Sequence, residues 1–357
     1  MRVAVLGSGN GGLAVAFEWA QAGHEVRMFN FPEFTTIEDV GTAGGISADG
    51  ELSGFQPIAY AGHDISQVVP GADIVFAVGP AYSTEAFASA CRPHISEGQT
   101  FVVCPGSCAG AIVFKNGLGV SLDDESVIVA ETSTLPYAVR ITAPAHITVY
   151  NRLKGGYFVA SLPGNQIQHV ADILTPVYPE VRGVDSVLQT TLQNANPIIH
   201  PAVTLCNTAL VERTGGDFLF YEEGVTRGVG RLIEAVDDER IAIGAALGIE
   251  IIPDPQLGIL QGYQAVANYS TGYSQAPGFL GIKAQPELDH RYLNEDAGFG
   301  LVFMTDLARR VGVLTPNMDA VLQFSSTVMA RDYRAEAART LSTLGLDNYS
   351  LEDLRSL

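Results

Sequence analysis

The chain of 357 residues is poor in positive charge. Lysine and arginine together number 20, against 39 aspartates and glutamates, which gives a formal net charge of −19. Proteins that bind nucleic acid neutralise backbone phosphates with clusters of basic side chains. This charge balance argues against a nucleic-acid partner and predicts a protein that stays in solution.

Cysteine is also scarce. The four cysteines, at positions 91, 104, 108 and 206, form neither a CxxC pair nor the paired spacing of a zinc site. Four cysteines in a chain of this length do not make a disulfide framework. We therefore predict reduced thiols and no metal site.

Long hydrophobic runs are missing as well. None approaches the roughly 20 apolar residues that a membrane-spanning helix needs. The first strand-like run begins at residue 2, which leaves no room for a signal peptide ahead of it. The sequence thus predicts a cytoplasmic protein with no membrane partner. Its hydrophobic content of 47% is enough to fill the cores of two domains.

The most informative stretch is the first thirty residues. A strand-like run at 2–6 leads into a glycine-rich loop, an unbroken apolar run at 13–22 and a second strand. The loop reads Gly7-Ser8-Gly9-Asn10-Gly11-Gly12. Strand, G-x-G-x-x-G and helix in this order are typical of a dinucleotide-binding βαβ unit. Gly7 permits the tight turn, Gly9 the approach of a pyrophosphate, and Gly12 close helix packing. The phosphates bind N–H groups at the helix N-terminus.

The second strand ends at Asn30, where an acidic residue usually binds the ribose 2′-hydroxyl of NAD. Asparagine can bond that hydroxyl, but it does not repel a 2′-phosphate. Residues 31–34 bring no cation, and Glu33 would repel a phosphate. We therefore predict NAD as the cofactor, with NADP possible.

Strands and helices alternate through the first half of the chain. Strand-like runs at 72–78, 100–104 and 127–130 enclose a predicted helix at 83–92. The alternation predicts a mostly parallel, doubly wound sheet whose ligands lie beyond the carboxyl ends of the strands. Two residues at one such end, Gly79 and Pro80, join the predicted cofactor site. That site comprises Gly7, Gly9, Asn10, Gly11, Gly12, Asn30, Gly79 and Pro80.

The remaining pattern suggests two hairpins and a second domain. Asp49-Gly50 predicts one hairpin, in an insertion over the sheet, and the runs at 145–150 and 156–161 predict another. From residue 188 onward the apolar spacing is helical, at 188–213, 228–248 and 316–344. We predict an α/β fold with two domains. A Rossmann-type dinucleotide-binding domain occupies residues 1–186, and an all-helical substrate and catalytic domain occupies residues 187–357.

One unusual stretch of the helical half runs from Gln193 to Pro201. Asn196 and His200 lie four residues apart and share one face of a helix. Two prolines in the same stretch are costly inside a helix. Packing alone does not account for this combination, so His200 is a candidate catalytic residue. The alternative is a structural histidine that is solvated or hydrogen-bonded.

A second stretch places charges directly before a glycine-containing apolar run, at 290–301. The guanidinium of Arg291 matches the geometry of a substrate carboxylate. Asp296 would orient His200 and make it more basic, as carboxylates do in such pairs. The alternative is a solvated helix start with acidic residues near its N-terminus.

Together these motifs resemble the opine dehydrogenases, the octopine/nopaline dehydrogenase family, over nearly the whole chain. The resemblance is carried by the glycine loop, by Glu131-Thr132-Ser133-Thr134-Leu135-Pro136 with Arg140, by Asn196-Pro197-Ile198-Ile199-His200-Pro201, and by Arg291-Tyr292-Leu293-Asn294-Glu295-Asp296. Within the family, the chain is similar to bacterial members that act on neutral amino acids.

The resemblance implies reductive condensation of a 2-oxo acid, typically pyruvate, with the amino group of an amino acid. An imine forms and accepts a hydride from the nicotinamide. The resemblance also implies His200 as general acid/base with Asp296 as its partner. It places Glu131, Arg291 and Asn196 in the substrate site. Four side chains that would line the pocket are apolar enough to favour a neutral amino acid, namely those of Cys108, Tyr137, Phe220 and Tyr221.

Two other functions remain open. One is a simple 2-oxo acid or ketone reductase of the glycerol-3-phosphate or ketopantoate type. Those enzymes usually rely on a lysine, whereas the helical half has one lysine, Lys283, outside both motifs. The other is an NAD-sensing protein without turnover, which would not need His200, Arg291 and Asp296 together. The apolar helices at 188–248 also offer a face for a homodimer.

Overall fold

The structure is a computed structural model that describes all residues from Met1 to Leu357. The chain forms two compact units, Met1–Thr190 together with Leu357, and Thr191–Ser356. The predicted domains are a dinucleotide-binding domain at 1–186 and a substrate and catalytic domain at 187–357. These ranges assign a function to each part of the chain as well as a structure, and they remain a prediction.

The first unit holds all twelve strands and five helices. The strands are β1 (Arg2–Leu6), β2 (Glu25–Phe29), β3 (Gly45–Gly50), β4 (Gly54–Pro57), β5 (Tyr60–Gly62), β6 (Ile74–Ala77), β7 (Thr100–Val103), β8 (Ile128–Thr132), β9 (Tyr137–Ala143), β10 (His146–Arg152), β11 (Tyr157–Leu162) and β12 (Val181–Gly183). The helices are α1 (Asn10–Gln21), α2 (Thr36–Ala43), α3 (Thr84–Cys91), α4 (Gly110–Leu118) and α5 (Ile167–Leu174), and α6 (Val187–Gln193) follows at the end of the unit.

The larger sheet has eight strands in the order β12-β11-β8-β7-β6-β1-β2-β5. Six neighbouring strands are parallel, in the sheet order β8-β7-β6-β1-β2-β5. Strand β11 is antiparallel to β8, and β12 is parallel to β11. Strands β6 and β7 have every residue buried, as expected of parallel strands covered on both faces. The chain leaves β1 towards β2 and later returns to β6 on its other side. This reversal creates a ligand crevice at the carboxyl ends. The predicted fold class is confirmed.

A second sheet of four strands has the order β4-β3-β10-β9. The hairpin predicted at Asp49-Gly50 forms between β3 and β4, but its turn lies at 51–53. Gly50 has a φ of +89° and is still paired with Val149, so it belongs to the strand.

The hairpin predicted from 145–150 and 156–161 is wrong. Strand β10 pairs with β9 instead, around a turn at Pro144-Ala145 where Ala145 has a φ of +50°. Buried and less buried side chains alternate along much of β10, which suits a sheet covered on one face. In β11 five of six residues are buried, and that strand joins the larger sheet.

The second unit is helical, as predicted. Its helices are α7 (Asn196–Cys206), α8 (Thr208–Thr214), α9 (Arg227–Leu247), α10 (Asp254–Gln261), α11 (Thr271–Ser274), α12 (Arg291–Asn294), α13 (Val302–Val311), α14 (Pro316–Val328), α15 (Tyr333–Glu336) and α16 (Leu351–Arg355), with a π-helical turn at Asp296–Leu301. The continuous helical character predicted for 316–344 is wrong beyond Val328. Ala330 and Ala337 have φ values of +50° and +45°, which a right-handed helix does not accommodate. None of the helices has both the length and the apolar character to cross a bilayer.

The long helix α9 anchors the segment that leads into α7. Its Arg240 is fully buried and donates hydrogen bonds to Asp237 Oδ1 at 2.6 Å, to Leu192 O at 2.5 Å and to Ile252 O at 3.0 Å. The side chain of Gln193 also bonds the backbone of Ile252. Its Nε2 donates to Ile252 O at 2.9 Å, and its Oε1 accepts the Ile252 N–H at 3.0 Å. These bonds fix the end of α6 three residues before α7 begins.

Candidate active site

The glycine loop after β1 has the geometry that a dinucleotide requires. Gly7 has a φ of +107°, and a Cβ there would lie 2.1 Å from the Val78 carbonyl oxygen. A Cβ on Gly12 would lie 2.0 Å from the Gly7 oxygen, so the first turn of α1 packs directly on the loop. At Gly9, by contrast, an added Cβ would meet no atom within 4 Å. The loop is therefore closed towards the sheet and open at the position where a pyrophosphate would approach.

The start of α1 also supplies donors. The first hydrogen bond within the helix runs from Leu13 N–H to Gly9 O at 3.0 Å. The N–H groups of Asn10, Gly11 and Gly12 precede it and have no partner within the helix, which suits an anion. The Asn10 side chain is used elsewhere, because its Oδ1 accepts the Ile141 N–H of β9 at 2.7 Å. Contact of Asn10 with a phosphate stays a prediction, and its Oδ1 is occupied by this bond to β9.

Asn30 is buried at the end of β2 and tied to the glycine loop. Its Nδ2 donates to Ser8 Oγ at 2.8 Å, and its Oδ1 accepts the N–H of Phe31 at 2.9 Å. The Ser8 hydroxyl also bonds the hydroxyl of Thr36, which opens α2, at 2.6 Å. Contact of Asn30 with a ribose remains a prediction. Its observed bonds hold β1, β2 and α2 together at the carboxyl edge of the sheet.

Gly79 and Pro80 lie at the same edge, directly after β6. A Cβ on Gly79 would come within 2.3 Å of Ser83 Oγ, and that hydroxyl donates to the Pro80 carbonyl at 2.7 Å. The backbone is thereby folded close to the end of the strand. These two residues and the glycine loop border the point where the winding of the sheet reverses.

Glu131, on β8, has no exposed surface. Its Oε2 accepts the N–H of Ala111, at the start of α4, at 2.8 Å, and its Oε1 accepts the Thr190 hydroxyl at 2.6 Å. A Cβ on Gly106 would lie 2.5 Å from its carboxyl carbon. The neighbouring residues 107–109 all have positive φ, at 37°, 77° and 57°, which costs about 1 kcal/mol or more for each. Glu131 therefore holds a strained loop at the carboxyl edge of the sheet.

In the helical unit, His200 and Asp296 meet. His200 Nδ1 lies 2.7 Å from Asp296 Oδ2, and both side chains are almost completely buried. Asp296 is the first residue of the π-helical turn, a rare geometry that occurs often at functional sites. That turn packs on α7 so closely that a Cβ on Gly300 would lie 2.5 Å from Pro197 Cγ. The close contact of Gly300 with Pro197 thus helps to bring the pair together.

The other faces of His200 are aromatic. Its Nε2 lies 3.1 Å from the hydroxyl of Tyr221, and its ring stacks on Tyr292 with centroids 3.9 Å apart. The ring of Phe220 lies on a further side of the imidazole, with the two ring centroids 6.1 Å apart. Tyr221 in turn stacks on Phe279 at 4.2 Å. The imidazole is held in one orientation by two hydrogen bonds and a ring stack.

The surroundings set the charge of His200. Burial lowers the pKa of His200 below its usual value, and the nearby Asp296 carboxylate opposes this effect while Arg291 adds to it. Burial also lowers the pKa of His290 to about 4, with a further contribution from Arg291. At neutral pH, His200 is therefore an uncharged base next to a carboxylate that can stabilise its charged form.

The predicted substrate ligands lie on the same elements. Arg291, at the start of α12, has a 44% exposed side chain, and its Nη1 lies 3.6 Å from Glu295 Oε2. Asn196 opens α7 one helical turn before His200 and is partly exposed. The arrangement leaves a guanidinium, an amide and an imidazole on neighbouring helical turns, a combination that can bind a carboxylate and move a proton.

Three contacts near these residues are not predictable from the sequence, and one residue lies elsewhere than predicted. Nothing in the sequence pattern pointed to Thr190 as a ligand of Glu131, to Thr36 beside Ser8, or to Tyr221 as a partner of His200. Tyr137, expected in the pocket, instead donates from its buried hydroxyl to Glu18 Oε2 at 2.5 Å. It belongs to a buried polar network, because its hydroxyl bonds both Glu18 of α1 and the Tyr178 hydroxyl.

Comparisons with known proteins match both units. Residues 183–329 match the family model for the NAD/NADP octopine/nopaline dehydrogenase, alpha-helical domain. Residues 2–106 match the NAD-dependent glycerol-3-phosphate dehydrogenase N-terminus. Over 355 residues the chain is 36% identical to an opine dehydrogenase from Arthrobacter sp. (strain 1C), covering 99% of this chain and 97% of that protein.

Solved structures share the fold. An octopine dehydrogenase with NADH and L-arginine superposes with a TM-score of 0.79 at 18% identity, over 100% of this chain and 98% of that one. A yersinopine dehydrogenase with bound NADP+ gives a TM-score of 0.70 at 14% identity, over 99% and 95% of the two chains. At these identities the likeness concerns the fold alone.

Proposed function

The chain belongs to the opine dehydrogenase family, and we propose that it joins a 2-oxo acid to the amino group of an L-amino acid and reduces the resulting imine. It is an NAD(P)-dependent oxidoreductase that acts on the CH–NH group of a secondary amine. The observation that carries the proposal is the buried His200–Asp296 pair, in a chain whose other unit has an open glycine loop. A dehydrogenase that forms an imine needs both.

The glycine loop fits a dinucleotide, because Gly9 leaves open space where a phosphate would bind and α1 directs unpaired N–H groups there. Asn30, Gly79 and Pro80 border the remainder of the proposed cofactor site. When bound, the reduced nicotinamide supplies the hydride. The protein's own contribution is to place, protonate and deprotonate the two substrates.

We propose that His200 moves every proton of the condensation. The amino group attacks the keto carbon, and the uncharged imidazole takes a proton from the nitrogen. The resulting imidazolium returns this proton to the alkoxide oxygen, which gives the neutral carbinolamine. After the imidazole has taken up a second proton from solvent, it protonates the hydroxyl group. That group leaves as water while the nitrogen lone pair forms the C=N bond of a protonated imine. Asp296 stabilises the imidazolium between these steps, and each step needs a group that titrates near neutrality.

Arg291 and Asn196 are proposed to bind substrate carboxylate. A guanidinium binds a carboxylate through two parallel hydrogen bonds, and the exposed part of Arg291 is accessible for this. We assign Glu131 to the amino-acid side of the site, where its buried carboxylate holds the strained loop 107–109 in place. The aromatic surroundings of His200 favour an amino acid with an uncharged side chain.

The rival functions are not favoured. A reductase of the glycerol-3-phosphate or ketopantoate type would rely on a lysine, but Lys283 is exposed and pairs with Asp217 at 2.7 Å. A sensor without turnover would have no use for a histidine held between a carboxylate and a hydroxyl. A cytoplasmic location and a homodimer formed through helices within 188–248 remain part of our proposal.

NADH oxidation with different substrates tests the function. We expect oxidation with pyruvate to depend on an added amino acid, and neutral amino acids to give the highest rates in a panel. Oxidation by pyruvate alone at the same rate would instead support a simple reductase. If neither condition oxidises NADH, the chain is not an opine dehydrogenase for these substrates.

We expect NADH to be the better reductant. Residues 31–34 contain no cation to bind a 2′-phosphate, and Glu33 is exposed in that segment. The side chain of Glu38 also lies nearby, 3.4 Å from His63, whose other nitrogen bonds the Asn30 carbonyl. The measurement is kcat/KM with NADH and with NADPH under identical conditions. A tenfold preference for NADPH would overturn this assignment.

A further inference from the structure

We propose that Tyr221 is a positioning residue for His200. Its hydroxyl keeps the imidazole uncharged and holds the Nε2 lone pair directed at itself until substrate binds. The proposal rests on the function assigned above and extends it by one residue. It is carried by the 3.1 Å distance between Nε2 and the hydroxyl oxygen, deep in the helical unit.

The direction of this hydrogen bond follows from the partner on the other nitrogen. A carboxylate can only accept, so His200 Nδ1 carries the hydrogen that bonds Asp296. In an uncharged imidazole the second nitrogen then has a lone pair and must accept. Tyr221 is thus the donor. Burial raises the pKa of Tyr221 well above its ordinary value, so that its hydroxyl keeps the proton it donates.

The tyrosine ring is fixed as firmly as the histidine. It stacks on Phe279 at an interplanar angle of 15° and meets Phe220 edge-on at 5.0 Å, with only 6% of the residue exposed. The backbone next to it is fixed too, because Phe220 N–H donates to Ile282 O at 2.8 Å. The hydroxyl therefore stays aimed at Nε2, the nitrogen that must exchange protons with substrate.

Several groups act on the charge of His200, and their signs differ. Asp296 favours the imidazolium, whereas Arg291 and the neighbouring His290, when it is charged, oppose it. Tyr292 stacks on the ring, with the two centroids 3.9 Å apart. The Tyr221 hydroxyl bonds the uncharged form and so disfavours protonation. Removing that hydroxyl should make His200 easier to protonate.

The test is Tyr221→Phe, which keeps the ring and its stack on Phe279. We expect the pKa of His200 to rise by about half a unit to one unit, the effect of one hydrogen bond of ordinary strength. NMR titration of the imidazole measures it without substrate, with His200→Asn identifying the signal. In the pH profile of kcat/KM, the transition that reflects titration of His200 should move to higher pH by the same amount.

Matched variants separate positioning from packing. Tyr333→Phe removes a hydroxyl that donates to Asn294 Oδ1 at 2.9 Å and should leave the His200 titration unchanged. Phe279→Leu loosens the Tyr221 ring and should raise the pKa of His200 less than Tyr221→Phe does. A Tyr221→Phe variant that loses activity with an unmoved titration would overturn the proposal. A shifted titration in a protein without opine-forming activity would uphold it and overturn the proposed function instead.

Discussion

Replacing His200 by alanine is expected to lower kcat for NADH oxidation with pyruvate and an amino acid at least about a hundredfold. General acid–base catalysis contributes about 10²- to 10⁴-fold, and a single imidazole is proposed for every proton transfer of the condensation. The glycine loop lies in the other unit, so NADH binding should not change. Steady-state rates and fluorescence titration with NADH measure the two effects.

The control for this variant is His169→Ala. His169 is exposed on α5 and should tolerate the change with full activity. A His200→Ala enzyme within threefold of wild type would remove His200 from the mechanism. Loss of NADH binding in the same variant would mean that the substitution had damaged more than the helical unit.

The features that the sequence predicts best depend on short-range rules. The glycine loop is predictable because Gly7, Gly9 and Gly12 serve a turn, a ligand and a helix contact within six residues. Each of these requirements determines the spacing of the glycines. The same holds for the alternating strands and helices of the first unit. In these places the local chemistry and the fold agree, and the sequence alone is informative.

The pairing of His200 with Asp296 needed more than local rules. A separation of 96 residues leaves the contact undetermined, so the sequence supports it only as a chemically reasonable pairing that the family resemblance also implies. The structure supplies the physical reason, since the π-helical turn packs on α7 through Gly300 and Pro197. Sequence patterns do not reveal such a turn, because its apolar spacing resembles that of an ordinary helix.

The errors come from long-range competition. The sequence allows β10 to pair with β11, its neighbour in the chain. However, β10 is buried mainly on one face and β11 on both, so the two strands belong to different sheets. For Tyr221 the sequence predicts only a pocket-lining residue, because the partner of a tyrosine hydroxyl cannot be predicted from its neighbours in the chain. Both cases depend on what another segment brings to the same place.

Asp296→Asn is expected to lower kcat about a hundredfold or more. An amide can donate to Nδ1 and so move the imidazole hydrogen to Nε2, where it blocks the lone pair that must take a proton from the amine. It also lacks the charge that stabilises the imidazolium. In hydrolases with an aspartate–histidine pair, the same change costs about 10⁴-fold. Asp238→Asn, on the exposed side of α9, is the matched control and should retain full activity.

The pH profile distinguishes this loss from simple damage. Burial already lowers the pKa of His200, and Asp296 is the group that raises it, so the variant should protonate at still lower pH. In the pH profile of kcat/KM, the transition that reflects titration of His200 then moves to lower pH, whereas Tyr221→Phe moves it to higher pH. Substitutions of the two partners thus shift one titration in opposite directions, because Asp296 favours the charged imidazole and Tyr221 the uncharged one. An Asp296→Asn enzyme with an unmoved transition and nearly full activity would show that the carboxylate serves packing alone.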